Sequence, residues 1–236
     1  MKTLIINVST NVLRKNHMLD LIAKNECLND YYFIHDGDLD AISDEILTQY
    51  FDGELKELSS MVSCAYKHIL AYQYVLDNNL EFALILEDDI YLHKGFCVKL
   101  NNIVNEVRTR QLSNFIISLE DSILQYVKGS ELEKNKLLYK KPLGRTAGAY
   151  IIDKMGAQSL LQELYANKCH RPIDWFHNDC SLNELINIYW AHPVIATQGS
   201  LNGKIPSLID KKKTGHFRII GFRLSQIYKT ILYRIR

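Results

Sequence analysis

Proline and glycine are scarce, 4 and 11 among 236 residues, which excludes a long disordered or low-complexity stretch. No repeat recurs along the chain, and no run approaches the roughly 20 apolar residues that span a bilayer. Met1 to Val8 holds one lysine and a short apolar run. It has neither the length nor the small-residue cleavage site of a signal peptide, so a protein kept in the cytoplasm is expected. The five cysteines, Cys27, Cys64, Cys97, Cys169 and Cys180, are scattered and form no Cys-x-x-Cys pair. That pattern suggests neither a zinc knuckle nor a disulfide framework, and free thiols in a reducing compartment are expected.

What is present suits a folded domain: 47% hydrophobic and 23% charged residues in a chain long enough to bury a full core. The net charge of +1 hides an asymmetry. From Lys211 onward there are eight Lys or Arg and no acid, which leaves 20 basic against 27 acidic residues, about −7, in residues 1–210. The natural division is a domain over 1–210 and a basic tail over 211–236.

Apolar runs at Thr3–Val8, Tyr31–His35, Phe82–Leu86, Phe115–Leu119 and Thr146–Ile152 predict strands. Helices are predicted at Val12–Cys27, Ser60–Leu76 and Lys154–Ala166. The second carries two adjoining apolar stripes, Met61-Ala65-Ile69-Tyr72-Leu76 and Cys64-His68-Ala71-Val75, and should be largely buried. Strands separated by helices predict an α/β fold with a mainly parallel sheet, in which ligands bind at the carboxyl ends of strands. Asn7, Asp36, the triplet Glu87-Asp88-Asp89 and the pair Glu120-Asp121 all fall near such ends.

The triplet follows Leu84-Ile85-Leu86 directly, with no basic residue after it before Lys94. Three adjacent carboxylates repel, and a divalent cation such as Mg²⁺ or Mn²⁺ relieves that repulsion while keeping positions for water and substrate phosphates. A solvated acidic turn is the alternative. If extended geometry persists, Glu87 and Asp89 face one side and Asp88 the other.

Several segments resemble glycosyltransferase family 25, which includes lipooligosaccharide galactosyltransferases of Gram-negative bacteria. They are Leu58-Ser59, Cys64-Ala65-Tyr66-Lys67-His68, Ala83 to Asp89, Gly148-Ala149-Tyr150-Ile151-Ile152 with Gly156-Ala157, and later Pro193, Gln198 and Ser207-x-Ile209. The resemblance covers roughly residues 3–209, and the strand followed by Glu-Asp-Asp is its most specific part. It departs at Lys67, where the family has serine before the histidine, and at the first strand, where only Arg14 matches the expected basic residues.

The resemblance implies a GT-A-like nucleotide-sugar-binding fold, with the triplet as a variant of the Asp-x-Asp motif. Asp89 is then the direct ligand of Mn²⁺ or Mg²⁺, and Glu87 or Asp88 contacts the ribose or a metal-bound water. The implied reaction moves a sugar, galactose from UDP-galactose, onto a lipooligosaccharide or LPS glycan with inversion. Inversion requires a general base outside the triplet. Asp174, which follows Pro172 and matches an acidic family position, is the first candidate, and Asp179 is the alternative. An Asp there also serves as a helix N-cap. Trp175 offers a flat face to an acceptor sugar. Glu120 and Asp121 are acceptor contacts or loop acids. His68 is a core histidine or a donor-site contributor, and His192 a late metal ligand or a surface histidine. Arg145 is a phosphate candidate, and Asn7 and Asp36 fall on the nucleotide side.

In the tail, Phe217, Ile220, Leu224, Ile227, Ile231 and Ile235 recur at helical spacing between basic residues. An amphipathic helix on an anionic membrane surface is expected, at the inner face of the bacterial inner membrane beside a lipid-linked acceptor. A helix packed on its own acidic body or on a partner subunit is the alternative. Nucleic acid is disfavoured because the basic residues do not extend into the domain. Two rival functions remain: a metal-dependent hydrolase, and a non-catalytic membrane-associated module that binds a sugar or nucleotide. Adjacent acids in one turn do not supply a glycosidase pair, and no spaced His/Asp motif supports a phosphohydrolase.

Overall fold

The computed structural model describes residues 1–121, 125–202, 224 and 228. The elements in chain order begin with β1 (Lys2–Ile6), α1 (Val12–Lys24), β2 (Tyr31–Ile34), α2 (Asp44–Tyr50), α3 (Ser60–Asp77), β3 (Phe82–Glu87) and β4 (Ile90–Leu92). They continue with α4 (Phe96–Thr109), β5 (Phe115–Ser118), β6 (Leu138–Lys141), β7 (Ala149–Asp153), α5 (Lys154–Asn167), α6 (Ile173–Leu182), β8 (Asn187–Ala191) and β9 (Ala196–Gln198). The strands and helices predicted between Thr3 and Ala166 are all present, with ends shifted by a few residues.

Among the described residues, seven strands form one sheet in the order β2-β1-β3-β7-β5-β8-β6. The pairings make β2, β1, β3, β5 and β8 run the same way, with β7 and β6 reversed. The expected mainly parallel sheet is therefore present, with an antiparallel strand set into its middle. β4 and β9 pair antiparallel in a separate two-stranded sheet, with Ile90 opposite Gln198.

Alternation along the central strands splits the core in two. Leu4, Ile6, Ala83 and Ile85 pack with α3, α5 and α6 on one face. Ile5, Leu84 and Leu86 pack with α1 and α4 on the other. This three-layer α/β arrangement fits an α/β glycosyltransferase fold.

One expectation about the cysteines is overturned. Cys27, just after α1, and Cys97, in the first turn of α4, are joined by a disulfide across 70 residues of sequence. α1 and α4 lie on the same face of the sheet and bring the two together, which scattered spacing along the chain does not reveal. Cys64, Cys169 and Cys180 are free.

No helix among the described residues is long and apolar enough to cross a membrane. Leu224 and Tyr228 are helical and exposed. The rest of the predicted amphipathic tail lies outside the described residues.

Candidate active site at the end of β3

β3 stops at Glu87, and Asp88 and Asp89 form the turn into β4. The extended geometry on which the alternating arrangement depends thus ends after the first acid. Each carboxylate is instead met by a different part of the fold, around a cleft of about 370 Å³.

Asp88 turns toward β1 and α1. Asn7, one residue past β1, donates from Nδ2 to its Oδ2 at 2.8 Å, and Arg14 donates from Nη1 to its Oδ1 at 2.5 Å. Arg14 stands in the first turn of α1 because the Asn11 side chain caps that helix by accepting from the Arg14 amide.

Asp89 turns toward β9. Its Oδ2 accepts from the Ser200 amide at 3.0 Å, and its carbonyl accepts from Gly199 at 2.7 Å. A β-carbon at position 199 would lie 2.6 Å from that carbonyl oxygen, so glycine is what permits the approach. Asp89 is 1% exposed, and its Oδ1 is buried with no hydrogen-bond partner. Burial raises its pKa, while the Ser200 hydrogen bond and Arg14 act against the rise.

Glu87 faces α3, as its position two residues beyond Ile85 requires. Gln198 donates from Nε2 to its Oε2 at 2.7 Å. The other oxygen lies 3.6 Å from His68 Nε2 and 3.8 Å from Cys64 Sγ, which stand one turn apart on α3. Burial, then repulsion from Asp89, Asp88 and Asp174, pushes Glu87 up to about 8, with Arg14 opposing.

The neighbouring face of α3 builds the opposite wall. Lys67 is 1% exposed and ion-paired with Asp38, and it donates to the Asn7 carbonyl at 2.5 Å. Burial raises the Asp38 pKa, but hydrogen bonds from Lys67 and Ser9 outweigh it and hold the carboxyl below its usual value. Gly37 makes room for the lysine, since a β-carbon there would lie 2.6 Å from Lys67 Cγ.

Beneath this wall His68 Nδ1 meets the Tyr150 hydroxyl at 2.8 Å, Tyr150 meets Tyr72 at 3.1 Å, and Tyr72 meets His177 Nε2 at 2.6 Å. Burial lowers both histidines to about 3, so both are neutral.

Of the residues singled out by sequence, Asn7, Glu87, Asp88, Asp89 and His68 are brought together. Asp174 lies beside the cleft, close enough to raise the pKa of Glu87 and Cys64. Its own pKa is raised by burial, against the hydrogen bond from the Trp175 amide.

Others sit elsewhere. Asp36 is in an exposed turn, and Asp38, two residues on, lines the cleft instead. Asp179 lies five residues after Asp174, about 140° around the helix, and pairs with Arg171 at 3.3 Å, away from the triplet. His192 follows β8, three strands from β3 and so roughly 14 Å across the sheet, with its ring edge-on to Tyr139. Glu120 is closer: it is fully buried and accepts from the Gly148 amide at 2.9 Å, and the Gly148 carbonyl accepts from the Glu87 amide, so Glu120 stands behind the triplet without lining the cleft. Arg145 is buried too, donating to the Glu120 carbonyl and lying over Trp190.

Sequence reasoning passed over Asp38 and Ser200 and treated Lys67 only as a departure. The signal for Lys67 was its place among the apolar stripes of a buried helix, where a lysine needs an acid.

A search of curated proteins finds no match to this chain. The sequence profile described as glycosyltransferase family 25 (LPS biosynthesis protein) matches residues 1–177, from β1 through the triplet into α6. The chain belongs to glycosyltransferase family 25, a family of LPS biosynthesis proteins.

Proposed function

We propose that this glycosyltransferase takes its sugar, galactose, from a UDP-sugar and delivers it with inversion to the glycan of LPS, using Mn²⁺ or Mg²⁺ held at the triplet. In this reading the fold is GT-A-like. The observation that carries the proposal is Asp89 Oδ1, a buried carboxylate oxygen with no protein partner, beside a Glu87 pushed up to about 8. Oxygen donors with excess negative charge fit a hard divalent cation.

Asp89 would hold the cation with support from Glu87, and the bound cation supplies charge neutralisation for the departing diphosphate. The protein's own residues supply the rest. Arg14 and Asn7 fix Asp88, Ser200 and Gln198 fix its two neighbours, and the cleft floor thus has a preset shape. Asp174, with its pKa raised by burial, accepts the proton of the acceptor hydroxyl, and the half-exposed Trp175 beside it stacks on the acceptor sugar. The basic stretch from Lys211 suits an acceptor carried at an anionic membrane face.

The test is a thermal-shift panel of UDP-sugars with Mn²⁺, followed by transfer assays on wild type, Asp89→Asn and Asp174→Asn. Asp89→Asn should lose the Mn²⁺-dependent shift, and Asp174→Asn should keep it while losing at least 100-fold in turnover. A wild type that binds a UDP-sugar but never turns it over, with or without Mn²⁺, would refute the enzyme reading.

A further inference from the structure

Cys64, His68 and Glu87 present one sulfur, one nitrogen and one oxygen, all within 4.8 Å of one another. Nothing in the proposed transfer uses the first two. Two ligands of a single tetrahedral zinc stand about 3.3–3.8 Å apart, given Zn–N and Zn–O of about 2.0–2.2 Å and Zn–S of about 2.3 Å. The measured separations from Glu87 Oε1 are 3.6 Å to His68 Nε2 and 3.8 Å to Cys64 Sγ. The His68 separation is too long for a hydrogen bond and suits two ligands of one ion, while the Cys64 thiol donates to the same oxygen, a contact that an ion bound between them would replace.

His68 supplies the second observation. It is 0% exposed, and its Nε2 is a buried polar atom without a hydrogen-bond partner, aimed at Glu87. The other ring nitrogen is engaged. If Nδ1–H donates to Tyr150, then Tyr150 donates to Tyr72 and Tyr72 to His177 Nε2, and every hydroxyl in the series donates once. That direction leaves a lone pair on His68 Nε2. A metal-ligating histidine is held in this way, its second nitrogen fixed by an outer partner that sets tautomer and ring orientation.

We propose that Cys64, His68 and Glu87 form a binding site for a borderline-soft divalent cation, Zn²⁺, distinct in donor chemistry from the all-oxygen set at Asp89. Thiolate and imidazole select zinc over magnesium or manganese. Cys64 and Glu87 both line the cleft, so the ion enters from there and its fourth position faces the cleft. Binding forms a Zn–S bond and releases the Cys64 thiol proton to solvent. Because Glu87 belongs to both sets, zinc and the donor-site cation are antagonists. That consequence rests on the proposed transfer reaction, whereas the zinc site itself does not.

The experiment titrates EDTA-stripped full-length protein with Co²⁺ alone, then with Zn²⁺, and reads absorption. Wild type should give a thiolate-to-cobalt charge-transfer band and tetrahedral visible bands, displaced by stoichiometric Zn²⁺ and not by Mg²⁺. Cys64→Ser should lose the charge-transfer band and weaken Zn²⁺ binding at least tenfold, and His68→Gln should lose the tetrahedral bands. Asp89→Asn should retain the signature, which separates this site from the proposed donor site. Should His68→Gln fail to fold, the half-buried Cys64 position carries the test. Absence of a thiolate band in wild type, or its survival in Cys64→Ser, overturns the site. The other free thiols, Cys169 and Cys180, are buried in the core and serve as the internal control.

Discussion

Replacing Glu87 by glutamine should stabilise the cation-free protein, and by an amount that grows with pH. The carboxyl has an ordinary value of 4.5 and is pushed to about 8 by burial and by Asp89, Asp88 and Asp174. Its folded-state pKa is therefore raised. Between these values the folded protein binds more protons than the unfolded chain, so stability falls as pH rises through the window. At pH 5 the folded carboxyl holds its proton while that of the unfolded chain has begun to ionise, so only a small part of the cost has developed. By pH 8 the folded protein must carry an additional buried carboxylate among three others.

At about 1.4 kcal/mol per unit of pKa difference, the change between pH 5 and pH 8 is on the order of 3–4 kcal/mol. The side chain keeps 18% of its exposure at the cleft floor, so this is the upper end. Glutamine has nearly the same shape and still accepts from Gln198 Nε2 at its carbonyl oxygen, but it does not ionise. The measurement is urea unfolding of wild type and Glu87→Gln in EDTA at pH 5, 6.5 and 8, followed by Trp175 and Trp190 fluorescence. The stability advantage of the variant should rise monotonically with pH. A difference that stays flat within about 1 kcal/mol, or that grows toward acid, would show that repulsion at the triplet is not what the geometry implies.

Three further outcomes are expected. Arg14→Met leaves Asp88 with Asn7 as its remaining described side-chain donor and should cost about 3 kcal/mol in urea unfolding at pH 7; a cost below about 1 kcal/mol would mean that the pair is effectively solvated. Asp38→Asn strands a buried lysine and should cost about 3–5 kcal/mol, whereas adding Lys67→Met should recover part of that loss. Strict additivity in that cycle would argue against the pair. Joint Cys27→Ala and Cys97→Ala replacement removes a link across 70 residues and should cost about 4 kcal/mol by chain entropy. Dithiothreitol should lower the wild-type unfolding midpoint similarly, and an unchanged midpoint would contradict it.

The parts of the fold legible in the sequence were those fixed by local pattern. Leu84-Ile85-Leu86 reads as a buried strand because apolar residues on both faces need helices on both sides, and α1 and α3 are there. The triplet is legible because three acids ending such a strand have no structural use of their own. α4 is absent from the expectations although Phe96, Leu100, Ile103 and Val107 recur at helical spacing and are buried. β6 and β8 are absent as well, although they are as long as β2 and β1, and β9, with three residues, is too short to stand out. What local pattern cannot carry is juxtaposition. Gln198 reaches Glu87 only because β9 pairs with β4, and Cys27 meets Cys97 only because α1 and α4 share a face. Asp174 and Asp179 are both candidate bases in the sequence, and the helix turns them to different surroundings.

The charge balance inside the cleft argues for cation chemistry from another direction. Among the described residues, two cationic side chains line or support it, and each is already engaged: Arg14 by Asp88 and Lys67 by Asp38. Pairing them off leaves Glu87 and Asp89, both with raised pKa values, among the acids at the floor. At an effective dielectric near 20, two like unit charges 4 Å apart repel by about 4 kcal/mol, so an ionised Asp89 opposes an entering diphosphate, and Glu87 joins it as pH rises through about 8. Moving Arg14 onto the phosphates offers no remedy, because it abandons Asp88 to the same repulsion. A divalent cation removes both terms at once, satisfying the unpartnered Asp89 oxygen and reversing the sign of the field that the phosphates meet. In the proposed reaction, therefore, cation and donor should bind in that order, and UDP affinity measured calorimetrically should rise with Mn²⁺ in wild type and stay indifferent to it in Asp89→Asn. Tight UDP binding by wild type in EDTA would place the compensating positive charge elsewhere and sink this account of the cleft.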